Sequence, residues 1–390
     1  MEKRPEQERI RIEKIAYLEE KGVAPFGQRY DRTHNSKTIT EQYDKYTKEQ
    51  LEETEYKVKF AGRLIAKRRQ GKIGFINVLD KFGIMQCYLS KEIMGEDNYD
   101  IFIKSDIGDI VGIEGTMMRT NTGQLTVKCR IYTHLAKAIR PLPEKYHGLQ
   151  DVEEARRRRY VDLIVNEDSR RVAFMRPRII RAVQHFFDGN GFVEVETPVL
   201  QPILGGAAAR PFVTYHNALD MPFYLRIATE LHLKRLIVGG MEAVYEIGRL
   251  FRNEGVDARH NPEFTTVEAY LAYSDMEGMM DLIENFFKSV CMEVLGKYEV
   301  EFNGKTYDLS KFRRIHMVDL IKEQCGVDFW QPMTFEEAAE IAKAHGIEVP
   351  KHFTGVGHII NAFFEKYGEE TLEQPTPVSY THLRAHETCA

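Results

Sequence analysis

The stretch Phe251–Tyr270, FRNEGVDARHNPEFTTVEAY, sets Arg252, Arg259 and His260 among four acids, Glu254, Asp257, Glu263 and Glu268. The residues on either side of its centre alternate as strands do. In MEAVYEIGRLFR the positions Val244, Glu246, Gly248, Leu250 and Arg252 fall on one face, and in the return run Phe264, Thr266, Glu268 and Tyr270 do the same. If the two strands pair through a long turn, Glu246, Arg252, Phe264, Glu268 and Tyr270 line one surface that is both charged and aromatic. A solvated sheet face with cross-strand ion pairs is the plainer explanation, each pair contributing about 0.2–1 kcal/mol. That explanation does not require two aromatics, both signs of charge and a connection that gathers Arg259, His260 and Asn261. A nucleotide site does. It needs an arginine for an α-phosphate, a ring to stack on a purine and further cations for the distal phosphates.

Such a hairpin needs a scaffold. The chain has 390 residues, 43% hydrophobic and 29% charged, enough for two or three domains with their own cores. A formal net charge of −5 argues against wholesale coating of nucleic acid and confines any RNA contact to a patch. Cys87, Cys129, Cys291, Cys325 and Cys389 form no C-x-x-C or C-x-x-H pair, so neither a zinc site nor a disulfide framework is signalled. The first thirty residues alternate acids and bases, and no apolar run approaches the roughly 20 residues of a membrane span. A cytoplasmic protein without membrane partners is expected.

Residues 1–55 read as a surface helix over 6–21 and a polar connector. Residues 56–139 hold five short β-rich runs punctuated by Gly62, Gly74, Gly112 and Gly115, which suggests a small closed barrel of OB type. Pro141 and Pro143 mark a linker over 140–150. From 151 to 378 helices mix with antiparallel-looking strands, so the expected fold class is α+β: a barrel followed by a larger domain with a helix-flanked antiparallel sheet. The long helix near 169–189 should bury Ile179, Val183, Phe186 and Phe187 on one face, with a strand FVEVETP after it, and residues 309–373 are mostly helical by pattern.

Two segments carry a resemblance. FRNEG…RHNPEFTTVEAY resembles motif 2 of the class II aminoacyl-tRNA synthetases, and RPRIIRAVQHFFDGNGFVEVETPVL resembles their motif 1 with its strand-ending Pro198. PILGGAAARPF with YLRIATELHLKRLIVGG is similar to the lysine-specific branch, bacterial type, rather than to the aspartate and asparagine enzymes. The resemblance implies ATP-dependent activation of L-lysine and its transfer to tRNA(Lys), with Mg2+, in a homodimer formed through motif 1. It implies that Arg252 grips the lysine carboxylate and the ATP α-phosphate, as the catalytic charge stabiliser. Glu254 and Asn261 are implied at the adenine edge, Phe264 on its face and His260 at the γ-phosphate. Gly206 and Glu230 match positions at the lysine α-amino group, and Glu268 and Tyr270 positions deeper in that pocket. Taken alone, Gly205 and Gly206 could be an ordinary turn, and Glu230 could simply cap or solvate its helix.

In the barrel, AKRRQGKIGFINV pairs cations with an aromatic, a combination that stacks single-stranded bases over a basic groove. The same pattern also fits a core Phe75 beside a solvated charge run. The resemblance assigns Arg68, Phe75 and Gln86 to anticodon bases. Arg156 to Arg159 point around a helix axis, which fits interface ion pairing as well as tRNA contact.

The family's third motif, with an arginine over ATP and glutamates for magnesium, has no counterpart here, so the catalytic domain reads as incomplete at its C-terminus and no metal ligands are expected in this chain. SYTHLRAHETCA at 379–390 has neither hydrophobic period and reads as a non-native tail. The expectation is negligible aminoacylation by this chain. Two further readings stay open: an RNA-binding fragment without catalysis, and a lysyl ligase acting on elongation factor P, against which the barrel argues.

Overall fold

The computed structural model describes residues 5–143, 151–257 and 260–379. Most of the expected linker, Arg259 and the tail from Tyr380 onward lie outside the described residues. The chain divides into two compact units, 1–170 and 171–390.

In the first unit α1 (Glu6–Glu20), α2 (Ser36–Tyr43) and α3 (Lys48–Thr54) precede β1 (Lys57–Gln70), β2 (Ile73–Leu79) and β3 (Ile84–Ser90). Then follow α4 (Lys91–Met94), α5 (Glu96–Lys104), β4 (Ile110–Arg119), β5 (Leu125–Ala136), α6 (Val152–Arg157) and α7 (Arg159–Val165). The five strands close into a barrel in the order β1-β2-β3-β5-β4, with β3 and β5 parallel and the other neighbouring pairs antiparallel. Alternation explains the closure: Phe60, Leu64, Ile76, Val78, Cys87, Leu89, Ile113 and Val127 point inward into one buried cluster. At Gly115, beside a register shift in β4, an added Cβ would lie 2.1 Å from the Lys128 carbonyl oxygen, so the bend requires glycine.

The expected polar connector instead contains α2 and α3. Both begin with capping boxes, Asn35 with Thr38 and Thr47 with Gln50, and their Ile39, Tyr43 and Leu51 join the barrel core. The arginine run divides between α6 and α7. Arg157 pairs with Glu153 at 2.5 Å, Arg158 with Glu154 at 2.7 Å and Arg159 with Asp162 at 2.7 Å, so three of the four are spent on helix-local acids.

The second unit is entered along α8 (Glu167–Gly189) and continues through β6 (Val193–Glu194), β7 (Leu200–Gln201), β8 (Val213–His216), β9 (Met221–Leu225), α9 (Glu230–Val238), β10 (Ala243–Phe251), β11 (Glu263–Leu271) and α10 (Met276–Leu295). Val183, Phe186 and Phe187 of α8 pack with Phe192, Tyr245 and Phe286. Ile179, expected on that face, is 41% exposed, because the buried stretch of α8 begins only at Ala182. The strand expected over FVEVETP is reduced to β6, which pairs parallel with Val244 and Tyr245. One sheet has the order β11-β10-β6, and a second has β7-β9-β8.

Beyond α10, β12 (Glu299–Phe302) and β13 (Lys305–Asp308) form a hairpin and β14 (Ile315–His316) leads into α11 (Met317–Cys325), α12 (Phe335–Ala344) and α13 (Val356–Phe363), which share a core of Ile321, Ala338, Ile359 and Phe363. The last strand, β15 (Val378–Ser379), pairs parallel with β14. Ser379, expected to belong to a tail without a place in any sheet, therefore has one. Among the described residues no helix is long and apolar enough to cross a membrane.

Candidate active site

β10 and β11 pair antiparallel over their whole length, with Glu246 opposite Glu268, Val244 opposite Tyr270 and Leu250 opposite Phe264. Two carboxylates facing across a ladder repel unless one is neutralised. Glu246 is the neutralised one. Its Oε1 accepts from the Arg226 guanidinium and its Oε2 from the Thr197 hydroxyl at 2.6 Å, and each side chain of the ion pair is 4% exposed. Arg226 also donates to the Thr197 carbonyl at 3.0 Å and the Arg249 carbonyl at 2.8 Å. Glu246, expected on the open surface, is thus a structural bolt between the chain after β9 and β10. The remaining four residues keep their places on that face.

Arg252 extends β10, and its backbone N–H donates to the Pro262 carbonyl at 2.9 Å, closing the hairpin's wide end. Its guanidinium carbon sits 5.3 Å from the centroid of the Phe264 ring, and its Nε points at the Ile227 carbonyl at 3.4 Å. Arginine and ring are both half-buried, a setting in which a cation–π contact holds the fork in place without using its terminal nitrogens. Next in the chain, the Asn253 N–H donates to the Arg210 carbonyl at 2.7 Å, and the Arg210 N–H faces Glu254 Oε1 at 3.4 Å. These contacts fix one wall of a cavity of about 580 Å³ lined by Ala208, Ala209, Arg210, Pro211, Glu254 and Gly255. His260 is exposed, with Nδ1 2.7 Å from Asp257 Oδ2, and Asn261 donates its Nδ2 hydrogen to the Glu263 carbonyl at 2.9 Å.

The acidic side of the site converges on the start of α9. Glu268 Oε1 accepts from the Thr229 N–H at 3.2 Å, and Glu230 is the first helical residue. Gly206, at φ +86°, lies so close that an added Cβ would stand 3.0 Å from the Cβ atoms of Ala228 and Glu230. At Gly205 it would meet Leu231 Cδ1 at 2.4 Å. Only glycine lets this loop rest against the helix start. Glu230 holds the Lys234 ammonium at 2.9 Å, and that ammonium is 5.9 Å from the Tyr270 ring. An ammonium is therefore already accommodated between this acid and this aromatic. The Thr229 hydroxyl is buried and has no hydrogen-bond partner among the described residues, a polar atom left over at the point where the acids meet. His232 is held below its usual pKa by burial and by Arg235, so at neutral pH it adds no cation beside Arg226. Among the described residues no three His, Cys, Asp or Glu side chains are grouped to hold a metal ion, so magnesium has no fitted site in them.

On the barrel, Arg68 lies opposite Phe75 and Gln86 lies opposite Asn77. Phe75 alternates with buried Ile76 and so faces outward, half-buried, which removes the reading of Phe75 as a barrel-core residue. Arg68 is exposed. Gln86 is 8% exposed and accepts from the Thr126 hydroxyl at 2.9 Å, which leaves its amide NH2 as the group able to meet a base.

Sequence reasoning missed Arg226, Thr229 and Arg210. The signal for Arg226 was a single cation ending the apolar run MPFYL, where a charge must find a buried partner; nothing local marked the other two.

A closed barrel ahead of a hairpin with this arginine, ring and acid pattern is a combination that known families share. Residues 151–371 match the family model of tRNA synthetases class II (D, K and N), and residues 58–135 match that of the OB-fold nucleic acid binding domain. The chain belongs to this family of class II synthetases. Within it, the chain is similar to proteins named lysine–tRNA ligase. The one from Lactococcus lactis subsp. lactis is 55% identical over 372 residues, 95% of this chain and 75% of the relative. Those from Enterococcus faecalis and Streptococcus pneumoniae are 55% and 53% identical, over 94% and 98% of this chain and 74% and 77% of the relatives.

Proposed function

We propose that the chain carries lysine–tRNA ligase function. A lysine carboxylate oxygen attacks the α-phosphorus of ATP and the bond to the β-phosphate bridging oxygen breaks, giving lysyl-adenylate and pyrophosphate. The terminal ribose hydroxyl of tRNA(Lys) then attacks the acyl carbon and AMP leaves. The observation that carries this reading is the convergence of Glu230, Glu268 and Gly206 at one end of the hairpin surface whose other end holds Arg252 over Phe264. Acids suit the cationic substrate. The arginine suits an anion that gains charge at a pentavalent phosphorus.

Catalysis in this scheme is positioning and charge stabilisation without a covalent protein intermediate. Arg252 bridges the carboxylate and the α-phosphate, Phe264 stacks on adenine, Glu254 and Asn261 meet its edge, and His260 faces the distal phosphate. Glu230 and Gly206 hold the α-amino group, with Glu268 and Tyr270 deeper in the amino-acid pocket.

Anticodon recognition is assigned to Arg68, Phe75 and Gln86. Nitrocellulose filter binding tests that assignment: Phe75→Ala is expected to weaken tRNA(Lys) binding about 10-fold, the loss of one stacked base. Unchanged binding would count against it.

Val172 and Ile179 of α8 are 52% and 41% exposed and Leu200, at the end of motif 1, 47%, and these exposed apolar side chains support a homodimer. Sedimentation should show twice the 45.3 kDa chain mass for the native sequence and the single-chain mass for a Val172→Glu/Ile179→Glu variant. A native chain that sediments as a monomer at micromolar concentration contradicts the dimer.

A further inference from the structure

Register on the barrel places four outward residues in one continuous row across four strands. Arg68 of β1 is opposite Phe75 of β2, Phe75 is opposite Tyr88 of β3, and Tyr88 is opposite Lys128 of β5. Ile76 beside Phe75, Cys87 and Leu89 beside Tyr88, and Val127 and Cys129 beside Lys128 are inward core residues, so Phe75, Tyr88 and Lys128 face out, and the exposed Arg68 shares the face of Phe75 through its cross-strand pairing. The row reads cation, aromatic, aromatic, cation. The Arg68 and Lys128 side chains and the Tyr88 hydroxyl have no hydrogen-bond or ion-pair partner among the described residues.

The two rings have centroids 5.3 Å apart and planes inclined at 59°. Rings so tilted cannot lie parallel to the same base. Each offers its own π-face, and the neighbouring cation on each side is placed for the phosphate that follows the base. We propose that Tyr88 is a second base-stacking platform of this surface, taking a different anticodon base from the one on Phe75, with Lys128 holding the adjacent phosphate.

The proposal rests on the reading of the barrel as the anticodon-binding element, and its test separates the two. An anticodon stem-loop of tRNA(Lys), intact or made abasic at each anticodon position in turn, is titrated by fluorescence anisotropy into the full chain and its variants. Tyr88→Leu keeps apolar bulk and removes the π-face. It is expected to weaken the intact stem-loop about 10-fold and to abolish the response to one abasic position. Phe75→Leu should abolish the response to another. Tyr88→Phe should bind as the native chain does, which separates stacking from loss of fold. Lys128→Gln should lower the slope of log Kd against log salt by about 0.7. If Phe75→Leu weakens binding and Tyr88→Leu does not, or if both silence the same position, the second platform is wrong and the anticodon reading stands. If neither variant weakens binding, both are wrong.

Discussion

The Arg252→Ala chain is expected to bind a hydrolysis-resistant lysyl-adenylate analogue about 100-fold more weakly than the native chain. Arg252 lies at the end of the hairpin face beside the Glu254 cavity, and its fork is steadied by Phe264. Charge-assisted hydrogen bonds contribute about 1.5–3 kcal/mol each, and about 2.7 kcal/mol corresponds to 100-fold. Arg252→Lys should recover only part of that loss, because an ammonium keeps the charge but cannot bridge two anionic groups as a planar fork does. Isothermal titration calorimetry reads both values. A loss under threefold in the alanine variant would remove Arg252 from the role assigned to it.

Arg226→Met is expected to destabilise the second unit by about 3–5 kcal/mol, since it leaves the Glu246 carboxylate buried with only the Thr197 hydroxyl. The pair is almost fully removed from water, and Arg226 also satisfies the Thr197 and Arg249 carbonyls, so three acceptors lose a donor at once. Replacing both partners, Arg226→Met with Glu246→Leu, should restore much of the lost stability, because no uncompensated charge is left inside. Denaturant unfolding of the two single variants and the double variant measures the coupling. Equal loss in the single and double variants would show that packing around Arg226, rather than the ion pair, holds the two segments together.

Much of the site was legible because it rests on local alternation. The period of two in MEAVYEIGRLFR and in EFTTVEAY placed Arg252, Phe264, Glu268 and Tyr270 on one face, and the barrel's five strands were readable from glycine-punctuated β-rich runs. What alternation cannot show is which face-mates are taken by partners from elsewhere in the chain. Glu246 and Glu268 look equivalent in the sequence, yet one is neutralised by Arg226, twenty residues earlier. Gln86 likewise appears as an outward residue, and only the parallel pairing of β3 with β5 brings Thr126 onto it. The capping boxes of α2 and α3 were present in the sequence, but their helices bury so few apolar residues, Ile39, Tyr43 and Leu51, that no hydrophobic period announced them. Ile179 fitted the helix period and is nonetheless exposed, because a period names a face and cannot say how far along the helix that face is covered.

On the proposed function, the hairpin surface holds ATP together with a cationic amino acid. Calorimetric titration of the native chain with hydrolysis-resistant lysyl-, aspartyl- and asparaginyl-adenylate analogues tests it most directly. All three analogues carry the α-ammonium that Glu230 holds, whereas Glu268, deeper in the pocket, attracts a side-chain ammonium and repels a side-chain carboxylate, so the lysyl analogue should bind at least about 100-fold more tightly than the aspartyl one, a difference of about 2.7 kcal/mol. Equal affinity for the three, or a preference for the aspartyl analogue, would rule out recognition of lysine by this surface.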